Sequence, residues 1–427
     1  MLSPVSQTTL RTMSTIAFQL EPLGTNNRPL AKLSTVRIAL YHNLPAGGAL
    51  RCMREMVRRS TGTHQYDLYR LHDPESPDGP DDELDDVVSS INVTTLAVSV
   101  KPRTGPLWPI HRMARLLALN DAQAEIARRI DAGGYDLCFV HHCRLTQSPA
   151  LLTRLRTPTV YYAQEPRRIS YERPTHDAYP WARHPPDRWF ELWFERYLRI
   201  VDTRAVSAAT ALACNSQFSA ESFYRAYARD AVVIYLGVDQ HGFRPTTSER
   251  EDYVVSVGAL EPPKGHGNVV EALGLLPEAN RPALRIVFER QIPHYEAAVR
   301  QLAERRRVRL YLHEKEPDSG LVGIYSKARA TVCASRLEPF GLTPLESLSC
   351  GTPVVAVNEG GFRESIVDGV NGFLTDPSPN GLAEGLKKLL SGRLDTDRER
   401  LRATVSKWTW DKTVARLHEL FDVVTRS

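Results

Sequence analysis

The chain contains no uninterrupted apolar run of the ~18 residues that a membrane-spanning helix requires, so no span is expected. Cysteine is scarce, six in 427 residues. The only close pair, Cys138 and Cys143, lacks metal-ligand spacing, and no second pair completes a site, so neither a disulfide framework nor a zinc centre is expected. Cys138, Cys214 and Cys333 lie in apolar runs, while Cys52 and Cys350 fall in helical stretches, which reads as small core residues in a reducing compartment. No G-x-G-x-x-G follows a strand with an acid ~20 residues on, which argues against a Rossmann dehydrogenase. Charge of one sign is also missing. With 54 basic and 50 acidic residues the net charge is +4, too mild to make nucleic acid the main ligand. Residues 1–30 are Ser/Thr-rich without the apolar core of a signal peptide, so a disordered tail and a cytoplasmic location are expected.

What is present is globular: 42% hydrophobic and 24% charged residues match the averages of folded domains. The length exceeds what one core usually serves, and two or three domains are expected. From residue 36 short β-branched runs alternate with helical stretches. VRIALYH (36–42), TTLAVSV (94–100), YDLCFVH (135–141), TVYYA (159–163) and ALACN (211–215) read as strands. A second series begins near 231 with VVIYL, followed by YVVSV (253–257), LRIVFE (284–289), VRLYL (308–312), ATVCAS (330–335) and PVVAV (353–357). Strands alternating with helices imply parallel sheets with right-handed crossovers. The fold class is therefore α/β, two doubly wound domains facing each other, joined by the Pro-bearing stretch 236–253. The acidic loop from Asp73 to Asp86 reads as a solvated surface. RWFELWFERYLRIVD (188–202) fits an interfacial membrane helix or a long helix packed on a sheet. Its apolar residues cover much of the circumference, which favours packing.

In parallel α/β sheets ligands sit at the carboxyl ends of strands, where loops lead into helix N-termini. After YVVSV the loop GALEPPKGHG presents Lys264 beside Gly265. After ATVCAS comes RLEPFGLTPLES, and after PVVAV comes NEGGFRES. One rim thus carries a lysine, glycines before helix N-termini, and carboxylates. Helix N-termini and a lysine suit phosphate, whereas carboxylates suit hydroxyl groups. Together they read as a nucleotide-sugar site. Thr343-Pro344-Leu345-Glu346 also fits a capping box with Thr343 as N-cap, and taken alone Glu346 is more often such a cap.

The segment 335–374, with Glu338 and Glu346 as an E-x(7)-E pair, closely resembles the donor-site signature of retaining glycosyltransferases of family 4, which have the GT-B fold. VGALEPPKGH (257–266), ACNSQFSAESFYRAY (213–227), YLGVDQHGFRP (235–245), PAGGALR (45–51) and WTWDKTVARLHELFDVV (408–424) are similar to further family segments. The resemblance implies two Rossmann-like domains across a cleft: 31–235 on the acceptor side, 236–405 for the nucleotide sugar, and a helix in 406–427 returning to the first domain. It implies that Glu338 and Lys264 carry the chemistry, Glu338 at the sugar hydroxyls and Lys264 at the departing diphosphate. The backbone of Gly258, Phe340, Gly341 and Leu342 would line the donor, Glu346 would hold the ribose, and Gly47 and Gly48 would close over the reacting centre. Two positions depart from the family pattern. Ala259 stands where an Arg is common, with Arg336 or Arg363 as substitutes, and Gln164 stands where a His is frequent, with His141 or His142 nearby.

The expected activity is transfer of a sugar from a nucleoside-diphosphate sugar to an acceptor hydroxyl, in glycan or cell-surface polysaccharide biosynthesis. Neither cofactor nor metal is expected, since the cleft segments hold no D-x-D. The acceptor, a glycan, lipid or small molecule, would bind near His142, Gln164, Arg167 and Arg168. A lipid acceptor would bring peripheral contact at the inner membrane face. An epimerase or phosphorylase on the same fold, and a non-catalytic sugar-nucleotide-binding protein, stay open as alternatives.

Overall fold

A computed structural model describes residues 35–45, 47–74, 83–96, 108–173, 188–246 and 249–426. The expected tail (1–30), the middle of the acidic loop and residues 97–100 lie outside them. The first sheet is wholly parallel, in the order β3-β2-β1-β4-β5-β6-β7. Its strands are β1 (Arg37–Asn43), β2 (Gln65–His72), β3 (Ser90–Thr95), β4 (Leu137–Cys143), β5 (Thr159–Tyr162), β6 (Ala211–Cys214) and β7 (Val232–Val233). The second sheet, also parallel, runs β10-β9-β8-β11-β12-β13. It comprises β8 (Tyr253–Val257), β9 (Ala283–Phe288), β10 (Leu310–Glu314), β11 (Ala330–Cys333), β12 (Val354–Val357) and β13 (Gly372–Thr375). Both orders reverse direction between the first and fourth strand of their sheet, the place where doubly wound sheets open a crevice for ligands.

Four expectations need correcting. β13 (Gly372–Thr375) is absent from the expected strands, because its four residues open on a glycine and make too short a run. β2 is absent from the expected strands, because QYDLYRLH mixes charge into its apolar alternation. The strand buries Asp67 by pairing it with Arg37 at 3.0 Å and accepting the Ser90 hydroxyl at 2.5 Å. β3 begins at Ser90, earlier than the apolar run 94–100 suggests. VVIYL does not open the second series: β7 pairs parallel with β6 as the edge of the first sheet.

Helices flank both sheets. Here α1 (Gly48–Arg58), α2 (Trp108–Ala132), α3 (Arg188–Ala208) and α4 (Gln217–Tyr227) belong to the first domain. The second carries α5 (His266–Gly274), α6 (Pro293–Arg306), α7 (Asp318–Lys327), α8 (Leu342–Ser349), α9 (Pro379–Leu390) and α10 (Arg398–Ala403). α1 turns Leu50, Met53, Met56 and Val57 inward at the spacing of one helix face. α4 is capped by the Ser216 hydroxyl, which accepts from Ser219 N at 2.9 Å. All six cysteines are free and buried, as expected.

The chain ends in α11 (Trp410–Arg426), which crosses back to the first domain. Phe421 stacks edge-on against Phe139 of β4, with ring centroids 5.2 Å apart, and His418 meets the Ser60 hydroxyl after α1. At the crossing, a Cβ on Gly237 would lie 2.2 Å from Trp410 N, so no other residue fits there without backbone movement. Phe421 is fully buried. Phe421→Ala should therefore cost about 3–5 kcal/mol, read as a lowered urea midpoint, and a wild-type midpoint would detach α11 from the first domain's core.

Candidate functional site

The loops after β8 and β11 place the reactive groups of the second domain. The β11 loop is drawn inward by Ser335, whose hydroxyl donates to Glu338 Oε2 at 2.5 Å. Lys264 Nζ, from the β8 loop, donates to both carboxylate oxygens of Glu338 at 3.0 Å. Glycines make the close approach feasible. A Cβ on Gly360 would sit 2.3 Å from the Glu338 carbonyl oxygen, and Gly361 N donates to that oxygen at 2.8 Å. Gly341, at φ +93°, adopts a backbone that L side chains rarely reach and leads directly into α8.

The expected capping box at Thr343 does not form. α8 starts at Leu342 with Gly341 as its N-cap. Glu346 turns instead to Arg51 of α1, at 2.9 Å, and to the Tyr325 hydroxyl, at 3.0 Å. A carboxylate 4% exposed needs a cation more than a cap needs a second acceptor, and Arg51 supplies it from the opposite domain.

The first domain sends a second arginine into the cleft. Arg168 donates to the Arg336 carbonyl at 2.6 Å, and pairs with Glu172 at 2.6 Å and Glu165 at 3.5 Å. Two further contacts close the domains together. Ser216 donates to the Pro339 carbonyl at 2.5 Å, and the α4 N-terminus donates Gln217 N and Phe218 N to Glu364 at 3.1 and 3.0 Å.

Charge is tightly balanced here. Burial opposes ionisation of Glu338, but Lys264 and Arg168 outweigh it and hold the carboxyl below its ordinary range. Burial works against the Lys264 ammonium as well, and Glu338 overrides it, raising the amine. Glu165 is pushed up by burial, with Arg168 opposing. Arg51 is raised chiefly by Glu346. The result is a lysine–carboxylate pair, ionised at neutral pH, beside two guanidinium groups and the start of α8. Such a set can take up a diphosphate and direct a carboxylate at hydroxyl groups.

The remaining expected residues fall around this cluster. Gly258, at φ +146°, lies against the Lys264 stem. His266 fixes the same loop, with Nδ1 on the Ser256 hydroxyl and Nε2–H on the Ala259 carbonyl at 3.0 and 3.1 Å. Gly47, at φ +132°, precedes α1, and the Gln164 amide reaches the Ala49 carbonyl at 3.4 Å, joining the Gly47-Gly48 turn to the β5 end. Phe340 packs its ring on Tyr235 and Trp408, leaving its backbone at the loop, and Leu342 opens α8. His142 is buried behind Gln164 and accepts its backbone N–H at 3.0 Å. His141 lies in the core against Phe139. Arg167 points at α3, in a two-pronged pair with Glu195 at 2.7 and 2.9 Å. Neither suggested substitute for the missing arginine joins Lys264: Arg336 pairs with Glu359 at 2.5 Å, and Arg363 Nε faces the Gly360 carbonyl at 3.4 Å. Arg51, Glu165 and Tyr325 join the site without a mark of their own in the sequence. PAGGALR contains Arg51, but nothing local ties it to Glu346.

The profile described as Glycosyltransferase Family 4 matches residues 46–241, and that described as Glycosyl transferases group 1 matches 239–408. A D-inositol 3-phosphate glycosyltransferase of Xylanimonas cellulosilytica is 30% identical over 256 residues, covering 53% of this chain and 60% of that relative. The protein of the same description from Corynebacterium glutamicum is 28% identical, over 52% of this chain and 60% of its own length. The chain thus spans about three fifths of the curated relatives it matches. Among solved structures, sucrose-phosphate synthase from Thermosynechococcus elongatus superposes with a TM-score of 0.70 at 19% identity, over 91% of this chain and 98% of that one. Anabaena HepE in complex with UDP-glucose superposes with a TM-score of 0.66 at 20% identity, over 90% and 98%. These last two likenesses show the fold.

The buried imidazoles give the site a pH dependence. Burial lowers His142 and His266 to about 4 in the folded protein, against ~6.5 unfolded. Between those values only the unfolded chain takes up the proton, so their contribution is complete above ~6.5 and lost as pH falls toward 4. Melting temperatures should fall steadily from pH 7 to pH 4. His266→Asn should flatten the slope by roughly 3 kcal/mol over that window, and an unchanged slope would mean His266 is not held neutral.

Proposed function

The chain belongs to glycosyltransferase family 4, and from that premise we propose that it moves a sugar, with retention at the anomeric carbon, from a nucleoside-diphosphate sugar to an acceptor hydroxyl. The observation that carries this reading is the Lys264–Glu338 pair at 3.0 Å, set where the crevices of two doubly wound sheets meet. HepE binding UDP-glucose supports a UDP-sugar as donor. Relatives named for an inositol phosphate support a polyol among the candidate acceptors, beside a glycan or a lipid. Residues 236–405 would hold the donor and 31–235 the acceptor, in the cytoplasm where nucleotide sugars are supplied.

On this reading Glu338 leaves Lys264 for the sugar hydroxyls, and Lys264 takes the charge that develops on the departing diphosphate. The backbone of Phe340, Gly341 and Leu342 lines the sugar and β-phosphate, and Glu346 holds the ribose. Gly47 and Gly48 approach from the first domain. The acceptor enters past Gln164 and His142, and its hydroxyl attacks the face that the diphosphate leaves, giving up its proton to the departing phosphate. Arg168 takes the place of the second cation that Ala259 cannot provide. The charge work needs no metal ion, so chelation with EDTA should leave turnover intact.

The test is nucleoside diphosphate released from a panel of nucleotide sugars with pooled acceptors. Lys264→Ala should lower turnover by about 10²–10³, and Glu338→Ala should remove most of it through loss of orientation. Wild-type rates in either variant would remove that residue from the reaction, and an epimerised donor without acceptor glycoside would replace the transferase reading.

A further inference from the structure

Helix α3 has two chemically different sides. Its inner side buries Phe194, Leu198, Asp202, Ala205 and Val206 against the first sheet and its helices. Both acidic residues of its first half are also turned to the protein. Glu191 pairs with Arg112 of α2 at 2.5 Å, and Glu195 holds Arg167 at 2.7 Å. The outer side carries what remains: Trp189 is 82% exposed, Leu192 54% and Trp193 51%, with Ile200 beyond them. Among the described side chains, Arg196, Arg199 and Arg204 are the charged residues exposed along the helix, Arg199 lying over the Tyr171 ring at 4.7 Å.

Arg112 of α2 stacks its guanidinium on the Phe194 ring at 4.2 Å, on the inner side of α3. Tryptophan is seldom left so open to water, and large exposed apolar side chains repeated along one helix face mark a site of interaction.

We propose that this outer face of α3 docks on the headgroup region of a membrane containing anionic lipid. The partner follows from the charge arrangement. A protein partner for an Arg-bordered face would bring its own carboxylates to specific positions, whereas a bilayer needs only apolar depth and basic flanks. Tryptophan favours the interface because its ring is apolar and its N–H polar. With Glu191 and Glu195 engaged inward, the charged side chains described on the exposed face are arginines, set among large apolar groups and Ser207, the pattern of a helix lying in the interface plane. Glu195 on the inner side braces Arg167 beside the acceptor-side loop, so docking would hold that loop about one helix diameter, ~10 Å, from the headgroups.

Co-sedimentation of the full chain with vesicles tests this. Phosphatidylcholine vesicles with about a third phosphatidylglycerol should bind the protein about tenfold better than phosphatidylcholine alone, and raised salt should erase the difference. The double variant Trp189→Ser/Trp193→Ser, both exposed positions, should keep its melting temperature and UDP binding yet lose vesicle binding. Arg196→Glu should weaken it. Absence of binding to the anionic vesicles, or wild-type binding by the double variant, overturns the proposal. So does a concentration-dependent dimer abolished by the double variant without vesicle binding, which would give the face to a second copy. UDP binding is read in the same preparations, so failure of the donor reading and failure of this one are separate results.

Discussion

Buried carboxylates in a cleft demand cations, and in this protein the cations come largely from across the cleft. Glu346 belongs to the second domain and is neutralised by Arg51 of the first; Glu338 is held by Lys264 of its own domain, with Arg168 of the first domain adding to its ionisation. Breaking such a pair leaves an uncompensated charge at low dielectric, so the domains are held face to face by the groups that line the site. Under the proposed function, a nucleotide sugar would bring the negative charge these cations can accept and the hydroxyls these carboxylates can bind. On the proposed reading, closure and donor recognition draw on one set of side chains, and donor binding exchanges partners within that set instead of adding a new one.

The fold is largely legible because parallel, fully buried strands write themselves as short β-branched runs at regular intervals. β1, β4, β5 and β6 in the first sheet, and β8, β9, β11 and β12 in the second, lie where such runs occur. β2 escapes because its apolar alternation carries Asp67 and Arg70, charges that only a folded neighbour can compensate. β7 reads as part of the wrong sheet because a two-residue edge strand has no sequence mark of its partner.

The site divides in the same way. Lys264, Glu338 and the glycine turns follow successive strands of one parallel sheet, so their positions along the chain are enough to bring them to one rim. Arg51 and Glu346 are 295 positions apart, and nothing local joins them. The local rules instead favour a capping box at Thr343, and a longer-range charge requirement overrides it. Arg336 and Arg363 are the nearby candidates for the second cation, yet it is Arg168, folded in from the other domain, that adds to the ionisation of Glu338. α3 packs one side against the first domain, as the reading of a helix on a sheet expects, while Trp189 and Trp193 on its other side stay exposed.

The central claim is that the cleft is a nucleotide-sugar site, and the most direct measurement is thermal stabilisation of the purified protein by nucleoside diphosphates and their sugars. A ligand at 100-fold its dissociation constant should add ~2.7 kcal/mol. The account predicts a clear rise in melting temperature with one base, UDP foremost, diminished in Lys264→Ala. No rise with any of them would contradict it, and would mean that the Lys264–Glu338 pair ties the β8 and β11 loops to one another and nothing more.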